Sequence, residues 1–429
     1  MTTLDQIVAM LPKVELHVHL EGTVQPATLF ELAQKNGVSL PVADAEALRA
    51  WYTFEDFDHF VEIFMTICEC LQTPDDFARI TYEYGQSMAR QNIRYAEVTW
   101  SPTTHAGATG KLPWEDLLAA INAGRERARR EFGVEMRWIP DIVRCYPDTA
   151  STVVGWLASP EARSGGVVAL GLGGPEVGFP PELFTDAFRQ AREHGLHSNP
   201  HAGETVGPES IWGAIRSLQA ERLGHGVRAV EDPDLVAYLA GRQIPLEICP
   251  TSNVRLGVYE SYAAHPLRRL LQAGVCVTIN SDDPALFETT LNDEYVHAVQ
   301  DCGLSLDQLR QVGLNAVRAS YLPEPDKSHM LAMFEAEYTR VLGPRRTQNV
   351  DDLPDLESLW DNLLSREPER IQGQWRDLAA EEREAIFAHL KRMVSEEGWA
   401  PAQRQSAQAA LDALDSLRGA GSDADRTRT

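Results

Sequence analysis

His17 and His19 stand two residues apart in the run VELHVH (14–19). In an extended strand, residues i and i+2 project to the same side, so both imidazoles can face one point. Two buried imidazoles side by side are unfavourable unless something binds both, and a metal ion does. The chain has only twelve histidines, and two more end short β-rich runs: His201 closes LHSNPH (196–201) and His225 closes ERLGH (221–225). Asp282 and Asp283 directly follow another such run, VCVTINS (275–281). Three histidines and one carboxylate from this group make a reasonable set for one Zn²⁺ per subunit, with an open position for water. Zinc lowers the pKa of bound water to about 7 and so supplies hydroxide at neutral pH. Glu204, in HAGE (201–204), lies three residues past His201 and can reach a substrate while staying off the metal. It suits a general acid/base; read only for structure, it is a first-turn glutamate favoured by the helix dipole.

The elements that would position these groups are legible up to about residue 340. Candidate strands are 14–19, 94–99, 134–141, 167–172, 196–201, 221–225, 244–249 and 275–281. Several are continuous apolar runs, as parallel strands buried on both faces require. Amphipathic stretches separate them. Thr73-Pro74-Asp75-Asp76 reads as an N-cap, a first-turn proline and first-turn acids; Ser305 with Gln308 fits a capping box. Eight strands alternating with helices imply an α/β fold, a (β/α)8 TIM barrel, in which chemistry sits at the C-terminal ends of the strands. His201, His225 and the Asp282-Asp283 pair all fall there. A doubly wound open sheet is disfavoured, because no Gly-rich phosphate loop follows an early strand.

The connection after strand 1 is long and carries TFEDFDHFVEIFMTICECL (53–71), with Phe57, Phe60 and Phe64 at helical spacing. It reads as a helix packed on the barrel or as a lid over its mouth. Beyond residue 344 the pattern is charged and helical. The expected organisation is a barrel domain over 1–344, a helical C-terminal extension over 345–418 and a disordered tail over 419–429.

Other chemistries are excluded or disfavoured. The formal net charge of −24 argues against nucleic acid or an anionic membrane as partner. The six cysteines form no C-x-x-C pair, which argues against a thiolate zinc site. No apolar stretch is long enough to span a bilayer, and the N-terminal segment lacks a basic start before an apolar core. A cytoplasmic protein with reduced thiols is the expectation. A bridged binuclear centre would need a lysine on strand 4; the five lysines (Lys13, Lys35, Lys111, Lys327, Lys391) all fall elsewhere.

Six motifs occur together: LPKVELHVHLEG (11–22), LGGPE (172–176), HAGE (201–204), ERLGHG (221–226), EICPTSN (247–253) and NSDDP (280–284). In this order and spacing, over about residues 8–342, the chain resembles the adenosine deaminase family of the amidohydrolase superfamily. The resemblance implies that His17, His19, His201 and Asp282 ligate zinc. It implies that Glu204 protonates purine N1, that His225 orients the attacking hydroxide and stabilises developing charge, that Asp283 bonds N7, and that the Gly174 N–H faces N3. Glu21 is placed near the ribose; many animal-type members carry aspartate there. Structural readings of two of these also exist, Asp283 as a turn residue before Pro284 and Gly174 as a strand-end glycine.

The implied reaction is hydrolytic deamination of adenosine or 2′-deoxyadenosine at C6, releasing ammonia, with a small purine nucleoside as the partner. Two relatives of the same chemistry are alternatives. One acts on free adenine; the other acts on 6-amino-6-deoxyfutalosine, an adenosine-like nucleoside with a bulky 5′ substituent used in menaquinone synthesis. The Gly173-Gly174 pair resembles the nucleoside enzymes, since adenine-specific relatives tend to carry serine there. A cyclic-amide hydrolase would need neither Asp283 nor Glu204, and a non-catalytic barrel would have lost a ligand or the acid.

Overall fold

Strand β1 (Lys13–His19) is buried along nearly its whole length, because the parallel strands of this sheet are covered on both faces. In the computed structural model, which describes residues 3–54, 57–106, 112–344, 360, 362–378, 380–395 and 401–422, seven further strands follow. They are β2 (Ile93–Trp100), β3 (Glu135–Val143), β4 (Ala169–Gly173), β5 (His197–Ala202), β6 (Leu223–His225), β7 (Leu246–Ile248) and β8 (Val277–Ile279). The strands pair in sequence order, all parallel. A parallel bridge between Val18 and Asp282 brings the end of β8 to β1. There the His19 N–H donates to the Asp282 carbonyl (2.8 Å) and the Asp282 N–H to the His17 carbonyl (3.1 Å). The buried Asn280 side chain accepts the Leu16 N–H at 2.8 Å and so extends the ladder. The architecture is a (β/α)8 barrel. β6, β7 and β8 are shorter than the sequence suggests; after β8, Ser281 turns its N–H and hydroxyl to the Glu15 side chain.

Local signals hold where they are strongest. Thr73 caps the helix Pro74–Arg90 in a capping box with Asp76, and Ser305 with Gln308 does the same for Leu306–Ala319. In the long β1–β2 connection the helix Phe57–Cys70 takes both roles at once. Ile63 and Ile67 are fully buried, while Phe60, Val61, Phe64 and Met65 line the cavity at the barrel mouth. Phe60 stacks on Phe287 at 5.4 Å between centroids. The side chain of Phe57 lies outside the described residues.

The chain divides into two units at residue 345. The second contains the helices Pro368–Asp377, Ala380–Ser395 and Pro401–Ser422. It has its own core, built on Ile371, Leu390, Met393, Ala407, Ala410 and Leu414. Its last helix continues through 419–422, where a tail was expected. Once an alanine-rich helix is nucleated, each further residue adds a backbone bond, which offsets the cost of Gly419 and Gly421. Residues 423–429 of the expected tail lie outside the described residues. Among the described residues, no helix is long and apolar enough to cross a membrane.

Candidate metal and active site

His17, His19, His201 and Asp282 converge at the C-terminal mouth of the barrel, their potential ligand atoms all within 4.8 Å of one another. His19 Nε2 lies 3.2 Å from His201 Nε2. Asp282 Oδ1 lies 3.3 Å from both His17 Nε2 and His19 Nε2. A tetrahedron with bonds of ~2.0–2.1 Å to a central Zn²⁺ has edges of about 3.3–3.4 Å, which matches these separations. His17 Nε2 is buried without a hydrogen-bond partner. The donor set therefore fits one zinc ion.

The surrounding electrostatics agree with a cation at that point. Burial and the adjacent imidazoles hold His201 well below the ordinary imidazole range, and burial lowers His19. Both are then neutral, the form that binds metal. His17 differs: against the cost of burial, Asp282 and Glu247 push it up to about 10. These carboxylates call for a positive charge among the imidazoles. Space for the rings is made by Gly224, where a Cβ would stand 2.8 Å from His17 Cε1 and 3.1 Å from the His201 Cα. Two site residues hold left-handed backbone, His225 at φ 58° and Asp282 at φ 64°. For a non-glycine residue this stores strain of order 1–3 kcal/mol each.

A second layer fixes the ligands. Glu247 Oε2 sits 2.9 Å from His17 Nδ1, so the ring donates there and presents Nε2 to the site. Glu247 is itself paired with the buried Arg222, which also meets Glu97 at 2.5 Å. Glu15 accepts both the N–H and the hydroxyl of Ser281, holding the chain just before Asp282.

Glu204 faces the cavity from the loop after β5. Its carboxyl is raised to about 8, chiefly by burial and then by the negative charge of Asp282. The loop is pinned by Glu176, which accepts the N–H groups of Gly203, Glu204, Thr205 and Val206 and the hydroxyls of Thr205 and Ser210. His225 Nε2 lies 3.7 Å from Glu204 Oε1 and 3.9 Å from Asp282 Oδ2. Its protonation pattern is set from behind. His265 Nδ1 accepts the Leu267 N–H, so His265 Nε2 donates to Asn253 Oδ1 at 3.1 Å. Asn253 Nδ2 then donates to His225 Nδ1 at 3.3 Å. The remaining proton of His225 is on Nε2, facing the site. Burial lowers His225 to about 4, so it serves as a neutral donor.

These groups open into one cavity of about 540 Å³. Asp283, Gly174 and Asp141 line it beside His19, His201, Glu204, His225 and Asp282. Asp283 is raised well above the carboxylate range by burial and by its neighbour Asp282, and its Oδ1 has no hydrogen-bond partner. It can therefore donate a hydrogen bond. The outer wall is apolar, with Phe60, Val61, Phe64, Met65, Val143, Tyr146 and Leu256. Glu21 is outside the lining. It is buried behind it, with Oε1 taken by His105 (3.0 Å) and the Ser101 N–H (3.1 Å) and Oε2 without a partner.

Sequence reasoning missed Glu247, Asn253, His265, Glu176, His105 and Asp141. Glu247 and Asn253 lie inside EICPTSN and Glu176 inside LGGPE, so the motifs carried a signal. Asp141 ends the candidate strand 134–141, a position that itself pointed to the barrel mouth; His265 and His105 had no signal.

The family model for adenosine deaminase matches residues 12–336. The chain is 41% identical over 330 residues to the aminodeoxyfutalosine deaminase of Streptomyces coelicolor, covering 76% of this chain and 84% of that one. It is 39% identical to the adenine deaminase of Bordetella avium, covering 72% and 96% respectively. A Burkholderia ambifaria amidohydrolase with bound zinc superposes with a TM-score of 0.74 at 31% identity, covering 80% of this chain and 94% of the other.

Proposed function

The chain belongs to the adenosine deaminase family and is a hydrolytic deaminase; we propose that its substrate is a purine nucleoside with an extended 5′ substituent, of which 6-amino-6-deoxyfutalosine is the example. The observation that carries this reading is the cavity. It is lined on one side by His19, His201, Glu204, His225, Asp282 and Asp283, and on the other by apolar residues of the lid helix, β3 with its following loop, and Leu256. A volume of about 540 Å³ lies within the ~300–1,000 Å³ typical of sites for drug-sized ligands, well beyond the needs of free adenine. No Lys or Arg is among the described lining residues, so a 5′-phosphate would lack a counter-charge. The similarity to the Streptomyces coelicolor enzyme supports the same choice. Adenosine or 2′-deoxyadenosine is the second reading, favoured by the family match and by the polar side of the cavity, which suits any 6-aminopurine nucleoside.

The reaction adds water to C6 and expels ammonia, leaving a 6-oxopurine. His17, His19, His201 and Asp282 would hold one zinc, which when bound supplies hydroxide at neutral pH. Glu204, protonated near neutral pH, gives its proton to N1 and makes C6 electrophilic. Asp283 donates to N7 and the Gly174 N–H faces N3, which together fix the ring plane. His225 donates through Nε2 to the oxygen that adds at C6, where negative charge develops. Glu247 and Asn253 are positioning residues that act through His17 and His225.

The test is an ultraviolet assay of the zinc-loaded protein on 6-amino-6-deoxyfutalosine, adenosine, 2′-deoxyadenosine and adenine. The reading expects the highest kcat/KM on aminodeoxyfutalosine. A higher value on adenosine or deoxyadenosine would move the enzyme to purine salvage. A higher value on adenine would overturn the nucleoside assignment.

A further inference from the structure

Asp141 lies near the C-terminal end of β3, is almost fully buried and lines the cavity. The mechanism above does not use it. The Ser101 side chain beside it helps hold the carboxyl down against burial, and Oδ1 is buried without a hydrogen-bond partner. The same Ser101 gives its backbone N–H to Glu21, whose Oε2 is also without a partner. Ser101 thus stands beside two buried carboxyl groups, of which Asp141 is the one that lines the cavity. A carboxyl placed on the wall of a ligand cavity is one of the few polar groups that can fix a ligand hydroxyl there.

Position indicates which hydroxyl. Asp141 abuts the glycine pair of β4: a Cβ on Gly173 would stand 2.4 Å from Asp141 Oδ2. Any side chain at 173 would displace the carboxyl, so the bare glycine and the aspartate form a unit. The next residue, Gly174, is the one assigned to purine N3. In a purine nucleoside, N3 flanks the ring nitrogen that bears the sugar. A carboxyl beside Gly173 therefore faces the sugar. We propose that Asp141 accepts a hydrogen bond from the 2′,3′-hydroxyl edge of the substrate ribose and makes the site selective for ribonucleosides. Burial raises this carboxyl to about 7, a cost that bonding to a hydroxyl would relieve.

The inference rests on the nucleoside reading, and one experiment separates the two. Steady-state kcat/KM would be measured for wild type, Asp141→Ala and Asp141→Asn on adenosine, 2′-deoxyadenosine, 3′-deoxyadenosine and adenine, with zinc content recorded. Wild type should favour adenosine over at least one deoxy analogue. Asp141→Ala should lose about 10–100-fold on adenosine and little on that analogue, so the selectivity collapses. The isosteric Asp141→Asn keeps a neutral acceptor and should fall between, which guards against a folding defect in the alanine variant. Equal losses on all four substrates, or unchanged selectivity, would overturn the role of Asp141 and leave the nucleoside reading standing. Wild-type preference for adenine would overturn both.

Discussion

Asn253 Nδ2 stands 3.3 Å from His225 Nδ1, and this bond decides which face of the imidazole carries the proton. Because His265 occupies Asn253 Oδ1, the amide can only donate to His225, and the ring must present Nε2–H to the site. Replacing Asn253 with Asp reverses the polarity: the carboxylate accepts from Nδ1–H and leaves a lone pair facing the reacting oxygen. We expect kcat to fall by about 10²–10³, the usual cost of losing one transition-state donor, with KM and zinc content little changed. Unaltered kcat in zinc-replete Asn253→Asp would show that the tautomer is immaterial.

Glu204→Gln keeps the shape of the side chain and removes its proton. Turnover should drop by about 10²–10⁴-fold while the metal stays bound. The acid must be protonated to act, and it is raised to about 8 by burial. Activity is therefore full below that value and declines as pH rises through it; a bound cation favours the carboxylate and moves this limb to lower pH. The kcat profile between pH 6 and 10 checks the sign. A limb on which activity rises with pH there would assign Glu204 as a base.

Glu247 holds His17 from behind at 2.9 Å, without contributing a ligand atom to the set. In Glu247→Gln we expect metal affinity to weaken by about 10–100-fold, as for other residues that orient ligands. Competition with a chelator, followed by zinc analysis, gives the number. Gly224→Ala should lose metal more completely, since its Cβ would press on His17. Full zinc occupancy in Gly224→Ala would mean that the rings shift freely.

Glu176 accepts six donors around the HAGE loop. Against the cost of burial, Ser210 and the loop N–H groups hold its carboxyl below the usual range. A carboxyl lowered by folding stabilises the protein above its unfolded pKa, and that stabilisation is lost as pH falls through the folded value. Glu176→Gln should cost about 1–3 kcal/mol at pH 7, read from urea unfolding. The gap to wild type should shrink below about pH 4, where the unfolded carboxyl is protonated. A constant gap at all pH values would refute an ionic role.

The sequence by itself determined the strands and the residues at their ends. Apolar runs such as VVALGL and the pair His17/His19 are local facts, set by the two-residue period of a strand and by burial on both faces. Barrel topology then places the ends of the strands at one mouth, so His201, His225 and Asp282 could be read as one group. Tertiary structure alone decided what stands behind them. Asp282 reaches His17 across 265 positions only because β8 returns to β1. Glu247 meets His17, His265 meets Asn253 and Asp141 meets the glycine pair of β4 through packing between elements. Glu21 shows the difference most plainly: its motif placed it near the ribose, and only the fold brings His105, 84 positions away, to one of its oxygens. A hydrogen bond is satisfied in space, and no local pattern records which distant group will satisfy it.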